Sequence, residues 1–261
     1  MKKKTCARVI EHKEISAGIF SLWLETELAD EASAGQFIGV YTTDASKLLP
    51  RPISICEVRR TEGECKGALR LVYRVTGAGS GTENISKLKQ SDEVYIVGIL
   101  GNGYDLSKIG DHPVLMGGGI GIPPMLELAK ELDGRATVIA GYRNNDLFLK
   151  EDLEKAGKLY IATEDGSVGT QGNVLDVMKN EQIECDVICA CGPMPMLRAI
   201  AKYASENNIK AYISLEERMA CGVGACLGCI AKTKDIDAHS YVNNARICTD
   251  GPVFDAEILE L

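Results

Sequence analysis

The sequence predicts a multidomain α+β protein with an antiparallel β-barrel, a Rossmann-like α/β domain and a small cysteine-rich C-terminal domain. Three observations predict this order. The chain up to about residue 100 carries short strand-like segments, the next part alternates strands with helices, and closely spaced cysteines follow. We expect the domains at residues 1–103, 104–215 and 216–261.

Six segments of the first domain are predicted strands, because each is short, rich in β-branched or aromatic residues and bounded by Gly, Asp, Glu or Pro. They are Val9–Glu14, Ile19–Glu25, Phe37–Thr42, Ile53–Arg59, Leu69–Val75 and Glu93–Val97. Strands at this spacing are typical of a small antiparallel barrel or sandwich. A short helix is expected at Asn84–Gln90.

The second domain alternates buried strands with helices, which predicts a parallel sheet covered on both faces. The expected strands are Pro113–Met116, Ala136–Gly141, Leu159–Thr163, Asp186–Ala190 and Ala211–Leu215. The expected helices are Pro123–Leu132, Leu147–Ala156, Asn173–Lys179 and Pro195–Asn207.

The net charge and the hydropathy pattern of the chain argue against several classes of function. The 261 residues carry a formal net charge of −8, which argues against nonspecific binding to nucleic acid or anionic membranes. The basic start has no apolar segment after it, and the longest uncharged apolar stretch, residues 113–126, is too short to span a bilayer. We therefore expect a soluble cytoplasmic protein, in which some of the ten cysteines do metal or redox work.

Four cysteines of the last domain have the spacing C-x4-C-x2-C…C, which is the plant-type ferredoxin pattern for a [2Fe–2S] cluster. They are Cys221, Cys226, Cys229 and Cys248. Glycine and alanine between the first three let the backbone wrap tightly and aim N–H groups at the sulfurs. A zinc knuckle and structural disulfides are the alternatives. The other six cysteines lack ligand spacing, and most of them are expected to be small buried residues: Cys6, Cys56, Cys65, Cys185, Cys189 and Cys191.

A glycine-rich turn joins the first strand and first helix of the second domain. Residues 117–124 read G-G-G-I-G-I-P-P, and such a turn lets a pyrophosphate approach the backbone at a helix N-terminus. The candidate residues are Gly117, Gly118, Gly119 and Gly121. The segment is not a true G-x-G-x-x-G, and an ordinary tight turn is the alternative.

The barrel carries a second candidate for phosphate binding. Arg51-Pro52-Ile53-Ser54 opens a strand, where an arginine can bind a phosphate with two hydrogen bonds. Val72-Tyr73-Arg74 adds an arginine and an aromatic ring, and Gly79-Ser80-Gly81-Thr82 is a possible phosphate cradle. An ordinary surface arginine is the alternative.

Together, these segments and the C-G-P-M-P-M run at 191–196 resemble the ferredoxin–NADP reductase superfamily. The resemblance implies that the barrel holds FAD, that the sheet domain holds the nicotinamide nucleotide and that C-G-P lies near the reactive rings. Within this superfamily, the resemblance is most specific to the electron-transfer subunits of NAD-dependent, heterotetrameric (class 1B) dihydroorotate dehydrogenases. It rests on residues 215–229 and on the C-T-D-G-P-V-F run at 248–254.

This resemblance assigns residues to each group. FAD would be held by Arg51, Pro52, Ile53, Ser54, Val72, Tyr73, Arg74, Gly81 and Thr82. NAD would be held by Gly117, Gly118, Gly119, Gly121, Cys191, Gly192 and Pro193. The four cysteines would hold the cluster. No residue is expected to be a catalytic acid or base, although Cys191 would lie near the flavin and nicotinamide.

The resemblance also implies the function. A catalytic subunit with FMN would oxidise dihydroorotate for pyrimidine (UMP) biosynthesis, in a complex of two copies of each subunit. Electrons would pass through [2Fe–2S] and FAD to NAD. Apolar residues beside the cysteines would face that partner or, as the alternative, would shield the cluster from water within this chain: Met219, Ala220, Val223, Ala225 and Leu227. The three histidines, His12, His112 and His239, lie outside every motif and are expected to be surface or cap residues. The alternatives are a stand-alone NAD(P)H:ferredoxin or sulfur oxidoreductase and a noncatalytic redox-sensing module.

Overall fold

The computed structural model describes residues 2–236 and 241–261, and its first part is a closed antiparallel barrel. Six strands form the barrel: β1 (Lys3–Ser16), β2 (Ile19–Glu25), β3 (Phe37–Val40), β4 (Arg51–Arg59), β5 (Ala68–Arg74) and β6 (Glu93–Leu100). They hydrogen-bond in the order β1-β2-β5-β4-β3-β6. The prediction of an antiparallel barrel is therefore confirmed.

Strand β1 closes the barrel because it is long enough to pair with two neighbours. Its first half, Lys3–Arg8, pairs with β6, and its second half, from Arg8 to Ser16, pairs with β2. This double pairing explains why the strand exceeds the predicted Val9–Glu14. The barrel interior is filled by aliphatic side chains that are fully buried: Leu22, Leu24, Ile38, Ile55, Leu69, Leu71 and Ile96. Their burial is the main driving force for this domain.

The short helix of the barrel domain begins earlier than predicted. Helix α1 spans Gly81–Ile85, whereas Asn84–Gln90 was expected. The Ser80 hydroxyl accepts a hydrogen bond from the Glu83 backbone N–H at 3.0 Å and so caps the first turn. The pattern S-x-x-E at 80–83 is a helix-start signal that was overlooked.

The second part is a seven-stranded sheet in the order β10-β9-β8-β7-β11-β12-β15, in which the last strand, β15, spans Val253–Asp255. Six of its strands come from the α/β region: β7 (Pro113–Gly118), β8 (Thr137–Tyr142), β9 (Lys158–Thr163), β10 (Thr170–Gln171), β11 (Val187–Cys191) and β12 (Lys210–Ser214). The helices are α2 (Pro123–Glu131), α3 (Lys150–Ala156), α4 (Val174–Asn180) and α5 (Met194–Glu206). All five predicted strands are present and mutually parallel, which confirms the Rossmann-like prediction.

The C-terminal segment is not separate from this sheet. A hairpin of β13 (Ile230–Lys232) and β14 (Asn244–Arg246) follows the first three cysteines. The last strand, β15 (Val253–Asp255), then pairs antiparallel with β12 at the sheet edge. The boundary expected at residue 215 therefore stays a prediction, since the chain beyond it adds a strand to the preceding sheet.

Helix α2 packs the sheet against the barrel, and buried polar contacts fix this arrangement. The Glu127 side chain of α2 is 5% exposed, and its Oε2 accepts from the Val58 backbone N–H of β4 at 2.8 Å. Burial raises the pKa of this carboxyl. Arg70 of β5 donates to Glu57 at 3.0 Å and to Asp152 of α3 at 2.8 Å. These bonds join the two layers in one fixed orientation.

The chain segment that leaves the barrel is also tied to the C-terminal segment. The Asn102 N–H donates to the Gly251 carbonyl at 2.6 Å, and the Leu215 N–H donates to the Pro252 carbonyl at 2.9 Å. All three parts of the chain therefore meet beside residues 100–102. None of the helices in the described ranges 2–236 and 241–261 has the length and apolar character needed to cross a membrane.

Candidate functional site

The arginine motif lies at the start of β4, beside the N-terminus of α1. Arg51, Pro52 and Ser54 are half-buried, and Ile53 is buried in the barrel. A Cβ atom added to Gly81 would lie 2.0 Å from Arg51 Nε, so only glycine leaves room for the guanidinium there. Arg51 and Gly81, which are thirty positions apart in the sequence, therefore lie side by side at one rim of the barrel, as two residues of a shared binding site must.

The turn before α1 is preorganised around Thr82. Its Oγ1 accepts from the Thr76 backbone N–H at 3.0 Å and lies 3.1 Å from the Ser80 hydroxyl. Gly77 and Gly79, which precede it, both have positive φ, with values of 133° and 73°. Such a turn of exposed backbone and hydroxyl groups, next to an arginine, is suited to binding an anionic group.

The segment Val72-Tyr73-Arg74 ends β5, and its side chains differ in their surroundings. Val72 and Tyr73 are each 3% exposed, whereas Arg74 is exposed. The side chains of Val72 and Tyr73 therefore belong to the protein interior. A ligand at this rim could reach the Arg74 guanidinium and the backbone of the other two.

Tyr73 is held by a histidine that the sequence did not single out. The Leu88 carbonyl can only accept, so His12 Nδ1 donates to it at 2.7 Å, and His12 Nε2 accepts from the Tyr73 hydroxyl at 2.9 Å. Burial raises the pKa of this tyrosine. The expectation of a surface or cap role was wrong for the half-buried His12. His112 is exposed, as expected, and His239 lies outside the described residues.

The glycine-rich turn lies at the carboxyl end of β7, directly beside the C-G-P segment. Strand β7 pairs with β11, with Gly117 opposite Cys191. A Cβ atom on Gly121 would lie 2.3 Å from the Cys191 carbonyl oxygen, and one on Gly118 would lie 2.6 Å from Met196 Sδ. Gly119 has φ +54° and open space around it. Glycine is thus required by close packing at 118 and 121, and by conformation at 119.

These two segments meet where the strand order of the sheet reverses. From β7 the chain proceeds through β8 and β9 on one side, and then returns to β11 and β12 on the other. In open α/β sheets, ligands bind in the crevice outside the carboxyl ends of the strands at such a switch point. The Gly117–Gly121 turn and the Cys191-Gly192-Pro193 segment border this crevice.

Cys191 has neighbours that sequence reasoning missed. Strand pairing puts it opposite Ser214 of β12. Burial raises the pKa of the Cys191 thiol to about 12, although a hydrogen bond with Ser214 acts in the opposite direction and Glu216 adds to the rise. Cys191 is therefore a neutral thiol at physiological pH. Only strand register reveals this pairing, because 23 residues separate the two positions and no motif links them.

The four cysteines lie together in the C-terminal segment. Backbone N–H groups point at their sulfurs: Val223 and Ala225 donate to Cys221 Sγ at 3.4 and 3.3 Å, and Gly224 donates to Cys248 Sγ at 3.2 Å. Although burial opposes ionisation, backbone hydrogen bonds lower the pKa of the Cys221 thiol to about 6. The chain thus stabilises thiolate at this position, as iron–sulfur ligation requires.

Two of the four cysteines, Cys229 and Cys248, lie nearer the protein interior, and the pKa of Cys248 is shifted in the opposite direction from that of Cys221. Cys229 and Cys248 are buried, at 2% and 1% exposure, and Cys226 is exposed. Burial and the neighbouring Cys229 thiol raise the pKa of Cys248 to about 11. Such close packing of thiols fits a site that receives positively charged irons.

The alternative of structural disulfides gains no support. All ten cysteines are free. Within residues 2–236 and 241–261, no three His, Cys, Asp or Glu side chains converge to hold a single metal ion. The remaining six cysteines were expected to be mostly buried, yet only Cys56 and Cys189 are buried, while Cys6 and Cys65 are exposed and Cys185 and Cys191 are intermediate.

The cysteine loop packs directly against the barrel rim. A narrow apolar crevice lies between them and is lined by residues of both, including Gly39, Pro52, Leu100, Met219, Ala220 and Gly222. A Cβ atom on Gly222 would lie 3.3 Å from Leu100 Cδ1. The arginine-motif strand and the two residues that flank Cys221 therefore line the same crevice. Met219 and Ala220 belong to it, whereas Val223, Ala225 and Leu227 are exposed.

Comparisons with known proteins agree with this architecture. Residues 216–260 match the family model described as the iron-sulfur cluster binding domain of dihydroorotate dehydrogenase B. The chain is 40% identical over 264 residues to the dihydroorotate dehydrogenase B (NAD(+)) electron transfer subunit of Listeria welshimeri, covering 99% of both chains. It is 39% identical to the corresponding Streptococcus pneumoniae protein, covering 95% of this chain and 94% of that one.

Solved structures show the same fold. An NADH-dependent reduced ferredoxin-NADP oxidoreductase superposes with a TM-score of 0.82 at 26% identity, covering 97% of this chain and 89% of the other. A ferredoxin NADP+ reductase from Neisseria gonorrhoeae, with bound FAD and NADP, gives a TM-score of 0.67 at 16% identity, covering 83% and 94%. At that identity the second likeness concerns the fold alone.

Proposed function

Since this chain belongs to the family of dihydroorotate dehydrogenase B electron transfer subunits, we propose that it carries electrons from a dihydroorotate-oxidising catalytic subunit to NAD. The full-length similarity at 40% identity supports this role over the whole chain. When bound, FAD exchanges two electrons with NAD and a [2Fe–2S] cluster exchanges one at a time, so together they convert single-electron into two-electron transfer.

FAD is proposed to bind along the barrel rim. Arg51 supplies charge-assisted hydrogen bonds to the pyrophosphate, next to the Gly81 and Thr82 backbone. The Pro52-Ile53-Ser54 backbone and the Ser54 hydroxyl face the flavin. Val72 and Tyr73 contribute backbone contacts, because their side chains are buried, and Arg74 contributes its exposed guanidinium.

NAD is proposed to bind at the switch point between β7 and β11. The turn at Gly117, Gly118, Gly119 and Gly121 lets the pyrophosphate approach the backbone. Cys191, Gly192 and Pro193 border the nicotinamide and keep water from it. The neutral Cys191 thiol leaves this position uncharged, and no proton transfer is assigned to it.

The cysteines at 221, 226, 229 and 248 are proposed to ligate the [2Fe–2S] cluster. Backbone N–H groups of Val223, Gly224 and Ala225 orient and stabilise the sulfurs. The single observation that carries the whole proposal is the contact between the cysteine loop and the arginine-motif strand, through the crevice shared by Pro52 and Gly222. It supports a short path between the two groups that change redox state.

The partner is proposed to contain FMN, to form a complex of two copies of each subunit and to act in the cytoplasm, in pyrimidine (UMP) biosynthesis. Exposed apolar residues of the cysteine loop support a partner at this surface, because Val223 and Leu227 are 43% and 58% exposed. The net charge of −8 gives no support to a nucleic-acid partner.

A stand-alone NAD(P)H:ferredoxin oxidoreductase is the second candidate, favoured by the similarity to the NADH-dependent reduced ferredoxin-NADP oxidoreductase. A co-purification experiment distinguishes these two candidate functions. The tagged chain, expressed in its source cells, is expected to retain an FMN-containing protein at equal molar amount through gel filtration. Recovery of the chain alone, with FAD, iron and NADH:ferredoxin activity but no FMN protein, would favour the second candidate. A noncatalytic sensor would reduce no dye with NADH.

A further inference from the structure

One buried hydroxyl beside the cysteines lacks a protein partner. Thr249 directly follows Cys248, and its Oγ1 is the one buried side-chain nitrogen or oxygen without a hydrogen-bond partner among residues 2–236 and 241–261. In two other buried threonines the side-chain hydroxyl has a hydrogen-bond partner. Thr163 Oγ1 donates to the Val168 carbonyl at 2.8 Å, and Thr233 Oγ1 donates to the Asp235 carbonyl at 2.9 Å. Buried hydroxyls are rarely left unpaired in proteins, since desolvation is then uncompensated.

The position of this hydroxyl connects it to the sulfurs. A Cβ atom on Gly224 would lie 3.0 Å from Thr249 Oγ1 and 2.8 Å from Thr249 Cγ2. The backbone N–H of the same Gly224 donates to Cys248 Sγ at 3.2 Å. The hydroxyl therefore borders the loop that directs its N–H groups at the cysteines, and glycine at 224 permits this close approach.

The backbone around Thr249 is held in place. The Thr249 N–H donates to the Arg246 carbonyl at 3.1 Å. The Arg246 guanidinium forms two hydrogen bonds with the Asp250 carboxylate, at 3.0 and 2.9 Å, and reaches the Gly224 carbonyl at 3.5 Å. These bonds join the segment 246–250 to the cysteine loop, so that the Thr249 side chain stays at the boundary between the two.

We propose that Thr249 donates a hydrogen bond to an inorganic sulfide of the [2Fe–2S] cluster and so raises the reduction potential of the cluster. The inference rests on the proposed function, because it requires that the cluster is bound. Protein sulfurs do not serve as the acceptor, since the hydroxyl reaches none of them. Reduction adds one electron to the cluster and breaks no bond, and a donor at a sulfur stabilises the added negative charge.

Three variants of the full-length chain test the proposal. Thr249→Val keeps the shape and removes the hydroxyl, Thr249→Ser keeps the hydroxyl, and Thr233→Val is a matched control in the same C-terminal segment. The midpoint potential of the cluster is measured by spectroelectrochemical titration, with iron content as a check. We expect Thr249→Val to disfavour reduction about tenfold, a shift of ~59 mV for one electron, and the other two variants to match the wild type.

Pulsed EPR of the reduced wild-type cluster in D2O provides a second readout that needs no variant. A rapidly exchanging deuteron, distinct from the slowly exchanging backbone amides, is expected in contact with the cluster. An unchanged potential in iron-loaded Thr249→Val would overturn the proposal, as would the absence of this deuteron from the wild type. Failure of the wild type to hold two irons would instead contradict the proposed function.

Discussion

Arg51 and Gly81 lie so close across the barrel rim that a Cβ atom on Gly81 would come within 2.0 Å of Arg51 Nε. The two residues belong to β4 and α1, and the contact joins the arginine motif to the N-terminus of the helix. Any side chain at 81 would displace the guanidinium. The glycine is therefore part of the same site as the arginine, although its own role is only to leave room.

Replacement of Arg51 with alanine is expected to weaken FAD binding. The change removes a charge-assisted contact worth about 1.5–3 kcal/mol, which corresponds to roughly ten- to hundredfold in affinity. The FAD dissociation constant is measured by fluorescence titration of the deflavinated protein. Arg59→Ala is the matched control, because Arg59 lies at the other end of the same strand, where it stacks 4.5 Å from the Trp23 ring centroid.

The Gly81→Ala variant tests, in the same FAD titration, whether the close contact between Gly81 and Arg51 matters for FAD binding. It is expected to fold normally, because a flexible guanidinium can move aside, and to lose part of the FAD affinity lost by Arg51→Ala. The double variant should then be no worse than Arg51→Ala alone, since both changes act through one side chain. Additive losses would show that Gly81 and Arg51 affect FAD binding independently. Unchanged FAD affinity in Arg51→Ala would show that the arginine is an ordinary surface residue.

The contact between Arg51 and Gly81 also shows what could be predicted from sequence. Local sequence patterns were sufficient to predict both motifs, the six barrel strands and the five parallel strands. Each of these features depends on hydrophobic periodicity and turn residues within a short stretch of sequence. The proximity of residues 51 and 81 follows from barrel closure, which no local pattern contains. Strand β15 was missed for the same reason, since three residues become a strand only by pairing with β12.

Replacement of Cys226 with serine is expected to remove the visible absorbance of the cluster while leaving FAD bound. Cys226 is exposed and lies in the C-terminal segment, whereas the residues proposed to bind FAD lie on the barrel. Iron content and the absorption spectrum are measured after purification, and NADH–dye activity should persist. Cys65→Ser, at another exposed cysteine, is the control. Retention of two irons per chain in Cys226→Ser would contradict the ligand assignment.

Replacement of Gly121 with alanine is expected to impair NAD binding selectively. The added Cβ would lie 2.3 Å from the Cys191 carbonyl oxygen, and both neighbours there are backbone that cannot move aside easily. We expect at least a tenfold higher KM for NADH in dye reduction, since about 1.4 kcal/mol of strain or lost contact suffices for that. FAD and iron contents should be normal. An unchanged KM would exclude the switch-point crevice as the NAD site.

Replacement of Val223 with glutamate is expected to uncouple the catalytic subunit. Val223 is exposed on the cysteine loop, and a charge there would be buried without a counter-charge in a dry interface. Complex formation is measured by gel filtration and FMN content. Leu106→Glu, at an exposed leucine in the segment between barrel and sheet, is the control. Normal assembly of Val223→Glu would show that the partner docks elsewhere.

The cysteine loop illustrates why the rest of the site could not be predicted. Five apolar residues of this loop were expected to face a partner, yet Met219 and Ala220 line the crevice with the barrel. Sequence composition cannot tell an apolar residue that contacts another domain from one that contacts another subunit. Likewise, Ser214 beside Cys191 and the buried hydroxyl of Thr249 become visible only when strand register and burial are known.

Dihydroorotate-dependent reduction of NAD tests the central claim most directly. NADH formation is followed at its absorbance band with this chain alone, with the FMN-containing catalytic subunit alone and with the assembled complex. Because the chain is proposed to connect the partner to NAD, only the complex is expected to form NADH from dihydroorotate, whereas this chain alone should reduce a dye with NADH. Oxidation of dihydroorotate by this chain without a partner, or full NADH formation by the catalytic subunit alone, would contradict the account.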